Sequence, residues 1–230
     1  MNEYRLIRIT TCPEPETCPG LVKLDVPPDH PQHGQTLPCV CERRRQAERL
    51  AATLPVACRS LTFDGFQEMP GNQLALRYAR QFVADPWAGR PLLTLIGPSQ
   101  VGKTHLALAI VNALLADGEP ARFCGVADLL DELRCGYADD TYLQRLRVWQ
   151  QTPVLALDDL GAEQTRTGDP YAVTWAQDKL YQIIAERVLH RRPTVITTNL
   201  IRKQLPPRLA ERLWNPRHGV VVAVGVIEKA

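Results

Sequence analysis

Gly97-Pro98-Ser99-Gln100-Val101-Gly102-Lys103-Thr104 has the form G-x-x-x-x-G-K-T. Before it stands Leu92-Leu93-Thr94-Leu95-Ile96, short and apolar enough for a buried strand. After it runs an Ala/Leu-rich stretch from His105 to Ala116, which Asp117-Gly118 can end as a helix. Strand, glycine-containing loop and helix in that order are the setting of a phosphate-binding P-loop. The glycines let the backbone curl so that successive N–H groups face phosphate oxygens, and the helix N-terminus adds partial positive charge. Lys103 is placed to reach the β- and γ-phosphates, and the Thr104 hydroxyl to ligate Mg²⁺. Residues 97–104, with His105 at the head of the helix, are the expected nucleotide-binding set.

A second apolar run, Pro153-Val154-Leu155-Ala156-Leu157, ends in Asp158-Asp159. Strands buried on both faces read as continuous apolar runs. Ligands of open α/β sheets sit at the carboxyl ends of the strands. This strand would deliver Asp158 to the Mg²⁺ shell and Asp159 to an attacking water. Pro193-Thr194-Val195-Ile196-Thr197-Thr198-Asn199 is a third strand, ending in small polar groups where a γ-phosphate sensor would sit. Runs at 121–125 and 219–227 bring the strands to five. Helices are expected over 127–134, with Gly136 as stop, and over 141–151. A longer one is expected over 171–189, with Trp175, Leu180, Ile183, Ile184 and Val188 as its apolar side. Strands alternating with helices argue an α/β fold with a parallel sheet and right-handed crossovers. Residues 206–213 open as a helix with proline at its start. Upstream, 72–84 is helix-like, with Leu74, Leu76, Tyr78, Phe82 and Val83 as its apolar set. Residues 60–66 form a loop whose Phe63 and Phe66 either pack as apolar pegs or sit against an adenine ring.

Residues 1–59 have a different texture. They are Pro-rich, hold five of the seven cysteines, and show no helical period before 41–52. Such a segment buries little core of its own and needs a staple. Cys12 with Cys18, and Cys39 with Cys41, offer four thiolates for a closed tetrahedral Zn²⁺ site. His30 or His33, between the pairs, is an alternative for one thiolate. Cys58, Cys124 and Cys135 read as small buried hydrophobes. The expected division is a zinc-stapled, partner-binding domain over 1–59 and a nucleotide-binding domain over 60–230.

A net charge of +2 says little about partners, but its distribution says more. Between Arg187 and Arg217 stand eight Lys/Arg and one acid, Glu211. That stretch is either a surface for phosphates or a solvated face carrying a catalytic arginine. Met1-Asn2-Glu3-Tyr4-Arg5 leads into no apolar signal segment, and no run approaches a membrane span. With an odd, clustered set of cysteines, a reducing cytoplasmic location and no membrane partner are expected.

P-loop, then Asp158-Asp159, then Thr197-Thr198-Asn199, then an arginine-bearing helix resembles the order of an AAA+ ATPase. Gly102-Lys103-Thr104-His105-Leu106-Ala107, the segment from Leu157 to Glu163, and the segment from Pro193 to Leu200 are similar to the DnaC/IstB group of helicase loaders and transposition ATPases. Thr62-Phe63-Asp64-Gly65-Phe66 resembles that group's lead-in to its ATPase domain. The cysteine cluster resembles, more loosely, that of bacterial and phage loaders. The resemblance spans 60–227 and implies a three-layer αβα P-loop NTPase with a five-stranded parallel sheet and without a C-terminal lid. It implies that Gly97, Gly102, Lys103 and Thr104 bind ATP, and that Asp158 and Asp159 are the Walker B acids. It implies Asn199 as sensor 1 and Arg212 as the arginine finger acting in trans; Arg208, one turn earlier, is the alternative. The implied partners are a hexameric replicative helicase, single-stranded DNA and further copies of the chain across the ATP site. The alternative role is IstB-like regulation of transposition. The loop 161–174 is longer than the group's pattern and would make Tyr171 part of an added contact surface.

Overall fold

The computed structural model describes residues 8–12, 17–30, 32–87, 89–161 and 174–225. Tyr171 and most of the long loop lie outside them, as does the end of the 219–227 run. In chain order the elements are β1 (Leu21–Lys23), β2 (Thr36–Pro38), α1 (Val40–Thr53), α2 (Val56–Arg59), α3 (Gln73–Ala84), β3 (Leu92–Ile96), α4 (Lys103–Ala116), β4 (Ala121–Gly125), α5 (Val126–Ala138), α6 (Tyr142–Gln151), β5 (Val154–Leu160), α7 (Trp175–Leu189), β6 (Thr194–Thr198), a 3₁₀ turn (Arg202–Gln204), α8 (Pro207–Leu213) and β7 (Gly219–Ala223).

Five strands form one parallel sheet in the order β4-β5-β6-β3-β7. Alternate residues feed two cores. Leu93, Leu95, Val154, Ala156 and Val195 face α1, α3 and α4; Leu92, Leu155, Leu157 and Ile196 face α5, α6, α7 and α8. The result is the expected three-layer αβα arrangement. Because β6 lies between β3 and β5, its carboxyl end stands between the P-loop and the Asp158-Asp159 turn. That is the crevice where open α/β sheets bind ligands.

At the other end of the sheet Arg187 of α7 is fully buried, at 0% exposure. Its guanidinium donates to Thr194 Oγ1 (2.8 Å) and to the carbonyls of Trp149 (3.0 Å), Gln150 (3.3 Å), Thr152 (2.7 Å), Pro153 (3.3 Å) and Pro193 (2.8 Å). It therefore ties the end of α6 to the starts of β5 and β6. The 187–217 stretch is thus not one solvated basic face.

Several expectations need correcting. Helix α5 runs through Gly136 instead of stopping there; the glycine is needed for close packing, since a Cβ on it would come 2.7 Å from Tyr142 Cα at the start of α6. Helix α7 begins at Trp175, where Thr174 and Gln177 form a reciprocal capping box. Helix α3 buries Ala75, Leu76 and Ala79, while Leu74 faces solvent. Cys135 is exposed, since it falls off the 126, 129, 130, 133, 136 stripe of α5; Cys58 and Cys124 are half-buried. The hairpin of β1 and β2, paired antiparallel, and the short α2 were not anticipated. Helix α1 is not isolated from the nucleotide-binding core: Ala47 and Leu50 pack in the layer that holds α4.

Candidate nucleotide site and cysteine cluster

Helix α4 starts directly at Lys103, and Gly102 before it has φ +96°, a left-handed conformation suited to glycine. A Cβ there would lie 2.8 Å from the Phe66 ring; one on Gly97 would lie 2.1 Å from the Val224 carbonyl oxygen. Both glycines of the motif are thus required by close approach. Lys103 is 7% exposed and donates from Nζ to the carbonyls of Gly97 (2.9 Å) and Pro98 (2.5 Å). Burial lowers its pKa, against the raising effect of Asp159 and Asp158. A curled backbone at a helix N-terminus, with a lysine beside it, fits a triphosphate.

Asp158 and Asp159 lie in the last turn of β5, where the pairing with β6 slips between Leu157 and Leu160. Asp159 has φ +59°, so consecutive acids point different ways. Asp158 accepts from Thr104 Oγ1 at 3.0 Å on both oxygens and from Thr197 Oγ1 at 2.6 Å. The Thr104 hydroxyl and the Asp158 carboxylate are the oxygen donor pair that holds Mg²⁺ in P-loop NTPases. Asp159 is exposed, and Asn199 Nδ2 approaches its Oδ1 at 3.5 Å. The structure thus brings Lys103, Thr104, Asp158, Asp159 and Asn199 to one crevice.

Thr197 was not singled out from sequence. It is 1% exposed, donates to Asp158 and accepts the Asp159 backbone N–H at 2.8 Å. One buried hydroxyl therefore sets the orientation of both acids. The only sequence signal was a β-branched hydroxyl at the carboxyl end of a buried strand.

Phe66 resolves toward packing: its ring stands edge-on to His105 at 5.2 Å and covers Gly102. His105 turns its ring to the lead-in as well, with Nε2 2.8 Å from the Thr62 carbonyl oxygen. Asn112 Nδ2 donates to the carbonyls of Cys58 and Leu61, both at 2.9 Å. Residues 58–66 are therefore fastened along α4. Phe63 is half-buried in the same core.

Arg208 and Arg212 do not join this crevice. Both face Tyr181 of α7, and Arg212 lines a cavity with Pro91 and His218, the residues that precede β3 and β7. That is the amino end of the sheet, opposite the P-loop of the same chain.

At the other end of α4, Cys12, Cys18, Cys39 and Cys41 bring their four sulfurs within 4.8 Å of one another. The β1–β2 hairpin carries Cys18 before its first strand and Cys39 after its second, so antiparallel pairing closes the distance between the two pairs. All four thiols are unbridged. Tetrahedral Zn²⁺ with Zn–S near 2.3 Å needs sulfurs about 3.8 Å apart, so the cluster fits one metal ion. The Gly20 N–H donates to Cys18 Sγ at 3.4 Å. The Cys41 backbone N–H holds the Cys39 thiol down at about 7, which favours a thiolate ligand. Neither alternative histidine joins the four: His33 Nδ1 lies 2.8 Å from the Val26 carbonyl oxygen, and His30 Nδ1 accepts the Gln32 N–H. Glu119, just past α4, pairs with Arg8 and with Arg43 of α1, anchoring the cluster to the core. Among the described residues no helix is long and apolar enough to cross a membrane.

The signature of the IstB-like ATP binding protein family matches residues 42–206. An insertion-sequence ATP-binding protein of Mycobacterium tuberculosis is 32% identical over 140 residues, covering 60% of this chain and 53% of that protein. The replicative helicase loader DnaC of Escherichia coli is 25% identical over 160 residues, covering 68% of this chain and 62% of that protein. The crystal structure of DnaI superposes with a TM-score of 0.63 at 27% identity, covering 75% of this chain and 95% of that one. The chain thus matches these two curated relatives over less than two thirds of their length.

Proposed function

Because the chain belongs to the IstB-like ATP-binding protein family, we propose that it is an ATPase switch that loads a hexameric replicative helicase onto single-stranded DNA. The observation that carries this reading is the placement of the four-cysteine cluster at one end of α4 and the P-loop at the other. A partner gripped by residues 1–59 would then be linked to the nucleotide site through a single helix. Zn²⁺ held by Cys12, Cys18, Cys39 and Cys41 would be structural, stapling a segment with little core of its own. The domain over 60–230 supplies the chemistry.

In that mechanism the backbone of residues 97–104 cradles the phosphates, and Lys103 exchanges two loop carbonyls for β- and γ-oxygens. Thr104 and Asp158 would hold Mg²⁺, which would supply positive charge against that developing on the phosphates. Asp159 takes a proton from the attacking water while Asn199 holds that water and the γ-phosphate in line. The neighbouring copy supplies Arg212 or Arg208, because the Arg208 and Arg212 of the same chain lie at the far end of its sheet. A trans arginine is worth on the order of 10³–10⁵ in rate in better-studied NTPases. Specific turnover should therefore rise with protein concentration.

Size-exclusion chromatography with light scattering, with and without ATP, tests the loader reading. The expected result is a defined complex with the host's helicase hexamer. The 32% identity to an insertion-sequence protein supports a second reading, ATP-dependent regulation of transposition. Binding to duplex DNA with no helicase complex in either condition would favour it and remove the first.

A further inference from the structure

Two arginines converge on one tyrosine. The Arg208 guanidinium carbon lies 4.3 Å from the centroid of the Tyr181 ring. Arg212, four residues on along α8, lies 5.7 Å from the same centroid and donates from Nη2 to the Tyr181 hydroxyl at 3.2 Å. Among the described residues neither arginine forms an ion pair with a carboxylate. Glu211, Asn215 and His218 complete the lining of a hollow of about 250 Å³ over this group, with Glu211 outside ion-pair distance of both arginines. His218 Nδ1 also sits 3.3 Å from the Arg212 carbonyl oxygen.

The choice of a tyrosine has a physical logic. Two guanidiniums on neighbouring turns repel, and something must hold both. A carboxylate would do so, but it would also cancel the charge the pair presents to a phosphate. The ring face attracts one cation through its quadrupole, and the hydroxyl accepts a hydrogen bond from the other. Both arginines are held against one residue, and neither is in an ion pair with an acid among the described residues. Their remaining N–H donors stay available for a doubly charged oxyanion. The Arg212 hydrogen bond also lowers the pKa of the Tyr181 hydroxyl, as a cationic donor should.

We propose that Tyr181 is a positioning residue that holds Arg208 and Arg212 as one two-pronged unit for the γ-phosphate bound by a neighbouring copy of the chain. This rests on the trans-arginine reading above. It goes beyond that reading by making both arginines act together and by naming what presets them.

Mixed assemblies separate the two claims. Lys103→Ala chains would carry the arginines but bind ATP too weakly to turn it over at the concentration used. Chains with Arg208→Ala and Arg212→Ala would bind ATP but lack the arginines. Mixing them should restore ATP turnover; if it does not, the trans reading fails and the role of Tyr181 falls with it. Given recovery, Tyr181→Ala on the Lys103→Ala chain should cut the restored kcat on the order of 10–100-fold, the scale of a misplaced catalytic group. KM for ATP should not change. Tyr181→Phe, which keeps the ring and loses the hydroxyl, should fall in between. The same substitutions on the arginine-less chain should leave recovery unchanged. Equal loss from both placements, or none from either, would overturn the proposal. A second readout is ¹⁵N relaxation of the arginine Nε–Hε groups in the nucleotide-free protein. Tyr181→Ala should lower the order of Arg208 and Arg212 while the other arginines keep theirs. Unchanged order at both would likewise overturn it.

Discussion

Two cations are buried at opposite ends of the same sheet, and they are held in opposite ways. Lys103, at the carboxyl end, rests on two carbonyls of its own loop, with Asp158 and Asp159 close enough to favour its charge. Arg187, at the amino end, spends its fork on six oxygens from three elements and, among the described residues, has no acid as a hydrogen-bond partner. Burial lowers both pKa values; that of Arg187, with Arg192 nearby adding to the effect, falls to about 9 and leaves it charged at neutral pH. The lysine is a compact charge on a flexible stem, and its partners can be exchanged for phosphate oxygens. The arginine is a planar, five-donor group fixed in one geometry. A buried cation can thus be a tool or a rivet, and the number and origin of its partners tell which.

The sharpest way to break this contrast is at the rivet. Arg187→Met should leave six buried acceptors without their donor, at roughly 1–3 kcal/mol for each that finds no other. That sum rivals a whole domain's stability of about 5–15 kcal/mol, so little folded protein is expected in solubility and circular-dichroism assays. Arg187→Lys keeps the charge but loses the fork, and should cost about 3 kcal/mol in urea denaturation. If Arg187→Lys melted like the wild type, the contrast would be wrong.

At the tool the effects should fall on binding instead. Lys103→Ala should weaken ATP binding on the order of 100-fold in a fluorescent-nucleotide titration, with stability moved by less than about 1 kcal/mol. The sign of the pH effect follows from the lowered pKa. The unfolded chain holds the lysine proton more tightly than the folded one. Wild-type stability should therefore rise, relative to Lys103→Met, between the depressed folded value and the ordinary lysine value, and be lowest where both states are protonated. Thr197→Val should lose the hydroxyl that sets both acids, lowering turnover on the order of tenfold for about 1–2 kcal/mol of stability. Removing metal with a chelator should have the smallest effect on the crevice itself: residues 17–41 around the cysteines should lose protection in hydrogen exchange, while α1 beyond Ala47, β3, β5 and β6 stay protected.

The motifs that lie contiguous in the chain were legible. The eight residues from Gly97, the Asp158-Asp159 pair and the Thr197–Asn199 end each announce a strand terminus through an apolar run followed by polar residues. The four cysteines were legible as a set, but the hairpin that unites them was not, because strands of three residues carry almost no periodic signal. Gly136 misled because a glycine that ends a helix and one that admits a neighbouring helix look alike in sequence. Arg187 was hidden because a charged residue on an amphipathic helix is assigned to solvent by default. Nothing in the sequence shows that six carbonyl and hydroxyl oxygens will converge on that one position. Thr197 and Tyr181 were missed for a related reason: their roles are bridges between elements, and bridges exist only after folding.

Helix α4 is a rod of 14 residues, about 21 Å long at 1.5 Å per residue. Residues 58–66 run back along it, pinned at Asn112, His105 and Gly102. Rod and return segment together make a two-member strut. Such a strut transmits displacement from one end to the other with little bending, because its fastenings are loaded in parallel and no single one can be peeled away first. A load applied at the Arg43–Glu119 end would arrive at Gly102 as motion of the loop that ends there, not as slack taken up along the way.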